Sequence, residues 1–347
     1  MGRFVATCIG LLATGAVLAA DKAADPGADP GADWAANLSI EARIERAMFG
    51  DHRAESNRAR DRYRHPAGTL AFMGLQDGMT VLEIWPGGGW YTEILAPVMR
   101  HKGQYIVASY DVDVPDQPEY RYELHMQLLD KFSRNPEVYD QVAVVPYSPP
   151  ASASLGAADS IDMVLTFRNA HGWISDGIAE SVFAEFARVL KPGGVLGVVQ
   201  HRAAEGADPA QSAATGYVPE AAVIELARKA GLYLEARSEV NANPADTRDH
   251  AEGVWALPPS LAVCENLTAE DEKAACIAKY QAIAGPLENR IIGQITADSA
   301  LHFLGGLRRQ GRSAQTYNHY LKSAKQFTRW LVRDRRTPTD PLAWYSR

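Results

Sequence analysis

The chain has 347 residues, 46% hydrophobic and 22% charged, a globular composition that leaves no room for a fibrous or wholly disordered reading. Its net charge of −7 is unevenly held: residues 307–347 carry ten Lys/Arg against two Asp/Glu, a local +8, so the remainder carries −15. That asymmetry points to two parts with different partners.

In chain order, Arg3, an apolar run over 4–18 and the small residues Ala19 and Ala20 have the layout of a secretory signal peptide over 1–20. The run is shorter than the roughly 20 residues a membrane span needs, so no span is expected once the signal is removed. This places the protein in the periplasm or outside the cell. The repeat DPGADPGAD lacks packing residues and predicts a tether over 21–38. A charged helical stretch over 39–64 follows, and strands are expected at 80–84, 105–108, 142–145, 163–166, 195–199 and 233–236. Helices are expected at 91–99, 119–132, 177–189 and 219–230, the last stopped by Gly231. Strand and helix alternate over some 150 residues, which predicts an α/β fold with a doubly wound, mostly parallel sheet; ligands in such sheets sit where the strand order reverses.

Two motifs carry chemistry. VLEIWPGGGWYTEIL, 81–95, reads as strand, glycine turn and helix, which brings backbone N–H groups and a helix start to one place. EFARVLKPGGVLGVV, 185–199, reads as helix, turn at Lys191-Pro192-Gly193-Gly194, and strand. Together with IDMVLTFRNAHGW, 161–173, these resemble, in order and spacing, the class I S-adenosylmethionine-dependent methyltransferases over about 70–239. The stretches RHPAGTLAFMGLQDGMTVLEIWPGGGW and NPADTRDHAEGVWALPPSL resemble a bacterial group of exported methyltransferase-like proteins and extend the likeness to about 284. The resemblance implies a seven-stranded sheet whose last, antiparallel strand, slotted between the fifth and sixth, is missing here or substituted, with Arg290, Ile291 and Ile292 as a candidate substitute.

The resemblance implies S-adenosylmethionine as cofactor and a small-molecule methyl acceptor. It places Gly87, Gly88 and Gly89 against the methionine moiety and Glu83 near its amino group. Trp85 stands where the wider family has its first loop glycine, Asn169 follows the fourth strand of that fold, and both are candidate cofactor-binding residues. The ribose acid of the family falls near Ser109; Asp111, two residues on, is the candidate, against an ordinary loop aspartate. His171 and His201 lie at the reacting edge and are candidate proton acceptors, with packing roles as the alternative; Arg64 and His65 could close over the cofactor and Trp173 could wall it. Cys264 and Cys276 are either a local disulfide or two unrelated core residues, and no metal-ligand spacing is present.

Residues 295–342 resemble the helical core-binding domain of tyrosine recombinases, without its catalytic domain. Lys322, Lys325 and Arg329 lie largely off that helix's apolar face and could make weak DNA contacts. The domain boundaries expected are therefore 39–284 for the methyltransferase-like part and 285–347 for an incomplete helical segment. Three functions fit: methyl transfer, a catalytically silent binding module on the same fold, or a DNA-binding fusion.

Overall fold

The computed structural model describes residues 3–6 and 38–284. By its contacts the chain divides into two units, Met1–Ala284 and Gly285–Arg347. The tether, most of the apolar N-terminal run, Arg290, Ile291, Ile292, and the basic residues Lys322, Lys325 and Arg329 lie outside the described residues.

Seven strands form one sheet: β1 (Arg3–Ala6), β2 (Thr80–Ile84), β3 (Gln104–Ser109), β4 (Val142–Pro146), β5 (Ile161–Phe167), β6 (Leu190–Val199) and β7 (Tyr233–Ala236). Their order is β4-β3-β2-β5-β6-β1-β7, and every pairing is parallel. This is a doubly wound α/β sheet. The chain runs from β2 outward to β3 and β4, then crosses to β5, so the order reverses between β2 and β5. Parallel strands buried on both faces need apolar side chains in both directions, and the strands supply them. Leu82, Ile84 and Val164 pack with Phe183 and Phe186 of helix Ala179–Val189 on one face. Val81, Met163 and Leu165 pack with Ile94, Leu95 and Val98 of helix Thr92–Met99 on the other.

Two features differ from the expectations. The place between β6 and β7, expected to be empty or filled by residues 290–292, is taken by β1, which runs parallel to both neighbours. Two adjacent edges with unpaired N–H and C=O groups are a template for any extended segment in reach, and Arg3–Ala6 provides one. The Lys191-Pro192-Gly193-Gly194 turn is instead a bulge inside β6: Leu190 already pairs with Ile161, and the register shifts before Met163 meets Val195. Gly193, at φ +83°, lets the extra residues loop out while the strand continues.

Beyond β7, a disulfide joins Cys264 to Cys276 and ties the short helix Ala262–Glu265 to helix Glu270–Ala284, around the buried Tyr280 and Ala256. No helix among the described residues is long and apolar enough to cross a membrane.

Candidate functional site

At the carboxyl ends of β2 and β5, where the strand order reverses, a cavity of about 290 Å³ opens above the glycine loop. Its floor is Glu83, Trp85, Pro86, Gly87 and Gly88; its far wall is Phe167, Arg168 and Asn169; its roof is Asn57, Arg60, Arg64, Trp90 and Tyr91. The loop turns through left-handed backbone at Gly87 (φ +59°) and Gly89 (φ +76°). A Cβ on Gly89 would come within 2.9 Å of Leu128, whereas one on Gly87 would meet nothing within 4 Å, so the backbone at Gly87 is open to a ligand.

Glu83 is the penultimate residue of β2 and is buried. Its Oε2 accepts hydrogen bonds from Thr92 Oγ1 at 2.9 Å and from the Tyr105 hydroxyl. No donor among the described residues reaches Oε1, on a side chain that lines the cavity. Burial pushes the Glu83 carboxyl up to about 7, against the opposing pull of the Tyr105 and Thr92 hydrogen bonds and the charges of Lys131 and Arg64.

The roof is strapped on by an ionic knot. Arg53, buried, pairs with Asp61 at 2.7 Å and with Glu93 at 3.2 Å, and Glu93 also takes Lys131 and, at 2.8 Å, the Asn57 amide. The Trp90 indole donates to Asn57 O at 3.0 Å and the Tyr91 hydroxyl to Arg64 O at 3.3 Å. These bonds hold the short helices Glu55–Arg58 and Asp61–Arg64 over the loop, with Arg64 stacked on Trp90 at 4.5 Å.

On its other side the loop is dry. The Trp85 indole lies 4.8 Å from the Tyr110 ring, 5.6 Å from Trp173 and 6.3 Å from Tyr147, and its N–H donates to Tyr147 O at 2.9 Å. Its backbone sits at φ +45°, the left-handed conformation that a glycine adopts without strain, so Trp85 keeps the shape of the turn while filling the space beside it. Two polar atoms in this aromatic flank, Trp173 Nε1 and the Tyr147 hydroxyl, are buried with no partner among the described residues.

The structure gathers Glu83, Trp85, Gly87, Gly88 and Asn169 at one cavity, with Gly89 just behind. Asn169 acts as a clamp: its amide donates to Ile84 O at 2.8 Å and to Thr166 Oγ1 at 3.1 Å, fixing the loop's start to the end of β5. Asp111 is not in the cavity wall; its carboxylate accepts from Asp113 N at 3.1 Å and is turned onto its own loop. Ser109 is buried and hydrogen-bonded to His125. His171 also lies outside the lining, edge-on to Trp255 at 5.7 Å, with Nδ1 buried and unpartnered among the described residues; burial lowers its pKa. Burial first, then the charges of Arg168, His171 and Arg64, push His201 down to about 3, which makes it a neutral imidazole and a weak base at ordinary pH. Neither histidine is among the residues that line the cavity. Arg60 and Arg168 carry no sequence motif of their own; the one available signal is Arg168 directly after a strand that ends at the crevice.

No family model and no curated protein matches the sequence. Solved structures do. A SAM-dependent methyltransferase from Aquifex aeolicus matches at 18% identity and TM-score 0.38, over 55% of this chain and 87% of that one. An arsenic(III) S-adenosylmethionine methyltransferase from Chlamydomonas reinhardtii matches at 18% identity and TM-score 0.36, over 55% and 61%. The 4+2 cyclase SpnF matches at 16% identity and TM-score 0.38, over 71% and 88%.

Proposed function

We propose that the cavity above residues 87–89 binds S-adenosylmethionine and that the protein transfers its methyl group to a small-molecule acceptor. One observation carries this reading: a buried carboxyl that lines a cavity, with one oxygen hydrogen-bonded and no donor among the described residues to the other, beside an open glycine backbone at the sheet's reversal point. The fit can be tested at both ends of the cofactor. At the methionine end, Glu83 offers an anion to the amino group, a guanidinium of the wall offers donors to the carboxylate, and Gly87 allows close backbone approach. At the adenosyl end, the two orphaned polar atoms, Trp173 Nε1 and the Tyr147 hydroxyl, are available to a polar ligand, provided the Trp85 indole yields its place.

The cofactor supplies an electrophilic methyl group on a sulfonium. What the chain contributes is orientation and exclusion of water, which is the larger share of catalysis for an in-line transfer. The roof of Asn57, Arg60, Arg64 and Trp90 covers the cavity, and Asn169 fixes the loop against β5. No proton acceptor is required of an acceptor atom that arrives with a free lone pair.

A second reading, a binding module without methyl transfer, is favoured by the indole in the aromatic flank. Calorimetry with S-adenosylhomocysteine separates the two. Saturable binding to the wild type is expected for methyl transfer. Binding seen only after Trp85→Gly supports the silent module, and absence of heat with both proteins removes the methyltransferase reading.

A further inference from the structure

Several arginines elsewhere in the described residues are ion-paired: Arg43 with Asp77, Arg53 with Asp61 and Glu93, Arg100 with Asp140, Arg121 with Asp176 and Arg188 with Glu185. Three that line one cavity are not. The side chains of Arg60, Arg64 and Arg168 make no hydrogen bond and no ion pair with a carboxylate among the described residues. They come from two distant segments, the strapped roof and the end of β5, and they converge on the same small volume.

Their placement is costly. Arg168 holds a left-handed backbone, φ +65°, which a long side chain adopts only when its surroundings impose it. Arg64 is fixed face-on to Trp90, so its planar fork is held in one orientation with its donors uncommitted. Burial, and then the charge of Arg168, lower both Arg60 and Arg64, and burial lowers Arg168. Guanidinium groups do not give up their proton in proteins, so this unfavourable energy is relieved by a counter-ion and not by deprotonation.

The charge balance identifies what is missing. With Glu83 ionised, the three guanidinium groups leave the cavity positive by two charges. S-adenosylmethionine makes this worse, because its sulfonium and amino group outweigh its single carboxylate. A single arginine fork satisfies that carboxylate, which leaves two forks unfilled. The cavity's 290 Å³ suits a small molecule and not a polymer strand.

We infer that Arg60, Arg64 and Arg168 form an anion subsite and that the methyl acceptor is a small molecule bearing a phosphate or carboxylate group. The acceptor assignment rests on the methyl-transfer reading; the anion subsite itself does not.

The test is calorimetry on the full chain with inorganic phosphate and, separately, citrate, at ionic strength matched with sodium chloride, with and without saturating S-adenosylhomocysteine. Saturable binding of one or both anions is expected, persisting when S-adenosylhomocysteine is bound, and the tighter of the two tells phosphate from carboxylate. Arg64→Met and Arg168→Met, which keep the apolar stem, should each weaken that binding at least tenfold, while Arg228→Met on the surface should leave it unchanged. Should Arg168→Met fail to fold, Arg60→Met takes its place, and phosphate should also slow modification of the wild type by phenylglyoxal. Absence of saturable anion binding, or equal binding by the arginine variants, overturns the proposal even if S-adenosylhomocysteine binds. Competition between phosphate and S-adenosylhomocysteine also overturns it, since it would assign the arginines to the cofactor's own carboxylate. Anion binding without any S-adenosylhomocysteine binding keeps the subsite and removes the methyl-transfer reading instead.

Discussion

The two flanks of the glycine loop are built from opposite materials. Toward Tyr110, Tyr147 and Trp173 the loop sends an indole into a dry aromatic cluster. Toward Arg60, Arg64 and Arg168 it faces a cavity rich in unpaired positive charge, with the protonatable Glu83 at its floor. The aromatic flank is filled by close packing, with Trp173 Nε1 and the Tyr147 hydroxyl left unpartnered among the described residues; the charged flank has three guanidinium groups without a carboxylate partner. A single turn thus separates a filled aromatic flank from an open charged one, and the two respond to mutation and pH in different ways.

The sharpest way to break this contrast is Trp85→Gly. Deleting a buried aromatic side chain costs about 3–5 kcal/mol, of which ~1 kcal/mol is returned by relief of the left-handed backbone. A net loss of about 3 kcal/mol is expected in urea unfolding, together with at least tenfold tighter binding of S-adenosylhomocysteine. If the affinity does not move, the aromatic flank is not the adenosyl side.

Glu83→Gln probes the wet flank through pH. The folded-state pKa of Glu83 is raised from 4.5 to about 7, so the group contributes stability present below 4.5 and lost as the pH climbs through 7. That loss is about 3 kcal/mol on linkage grounds. Stability curves at pH 4.5 and 8 should therefore converge for Glu83→Gln relative to the wild type, with the variant the more stable at pH 8. In the wild type, affinity for S-adenosylhomocysteine should rise as the pH passes 7 and the carboxylate ionises, and the variant should show no such rise.

Asn169→Ala cuts the clamp that joins the flanks, removing donors to Ile84 O and Thr166 Oγ1. A loss of about 2 kcal/mol is expected in thermal unfolding. Loosening on the loop side should appear as faster amide exchange at residues 84–88, with exchange in β3 unchanged. The smallest effect belongs to Tyr105→Phe, which withdraws a hydrogen bond from Glu83. It should cost about 1 kcal/mol and move the pH dependence of ligand binding upward, because the lost donor favoured the ionised carboxylate. A downward move would show that Tyr105 stabilises the neutral acid.

Much of this site is legible in the amino-acid sequence. The strands expected at 80–84 and 233–236 stand where β2 and β7 are, and that at 105–108 lies inside β3. Glu83 and the three glycines are readable because a strand, a turn and a helix start are coded within a dozen adjacent residues. The arginine subsite is not readable, since Arg60 and Arg64 stand more than a hundred positions from Arg168 and nothing local marks them as neighbours. The histidines at 171 and 201 are visible as residue types but not as chemistry, because burial and neighbouring charges decide whether an imidazole is a usable base. Pairing of Arg3–Ala6 into the sheet is equally hidden: a short apolar run reads the same whether it is exported, packed or paired.

By itself, then, the amino-acid sequence determined the periodic elements, the parallel sheet they imply and the glycine turn at its reversal point, because these follow from contacts a few residues apart. Tertiary structure alone decided which flank of that turn is dry and which is charged. Desolvation and Coulomb energy depend on what surrounds a group in space, and the groups around Trp85 and Glu83 are delivered by segments spread from Asn57 to Trp173.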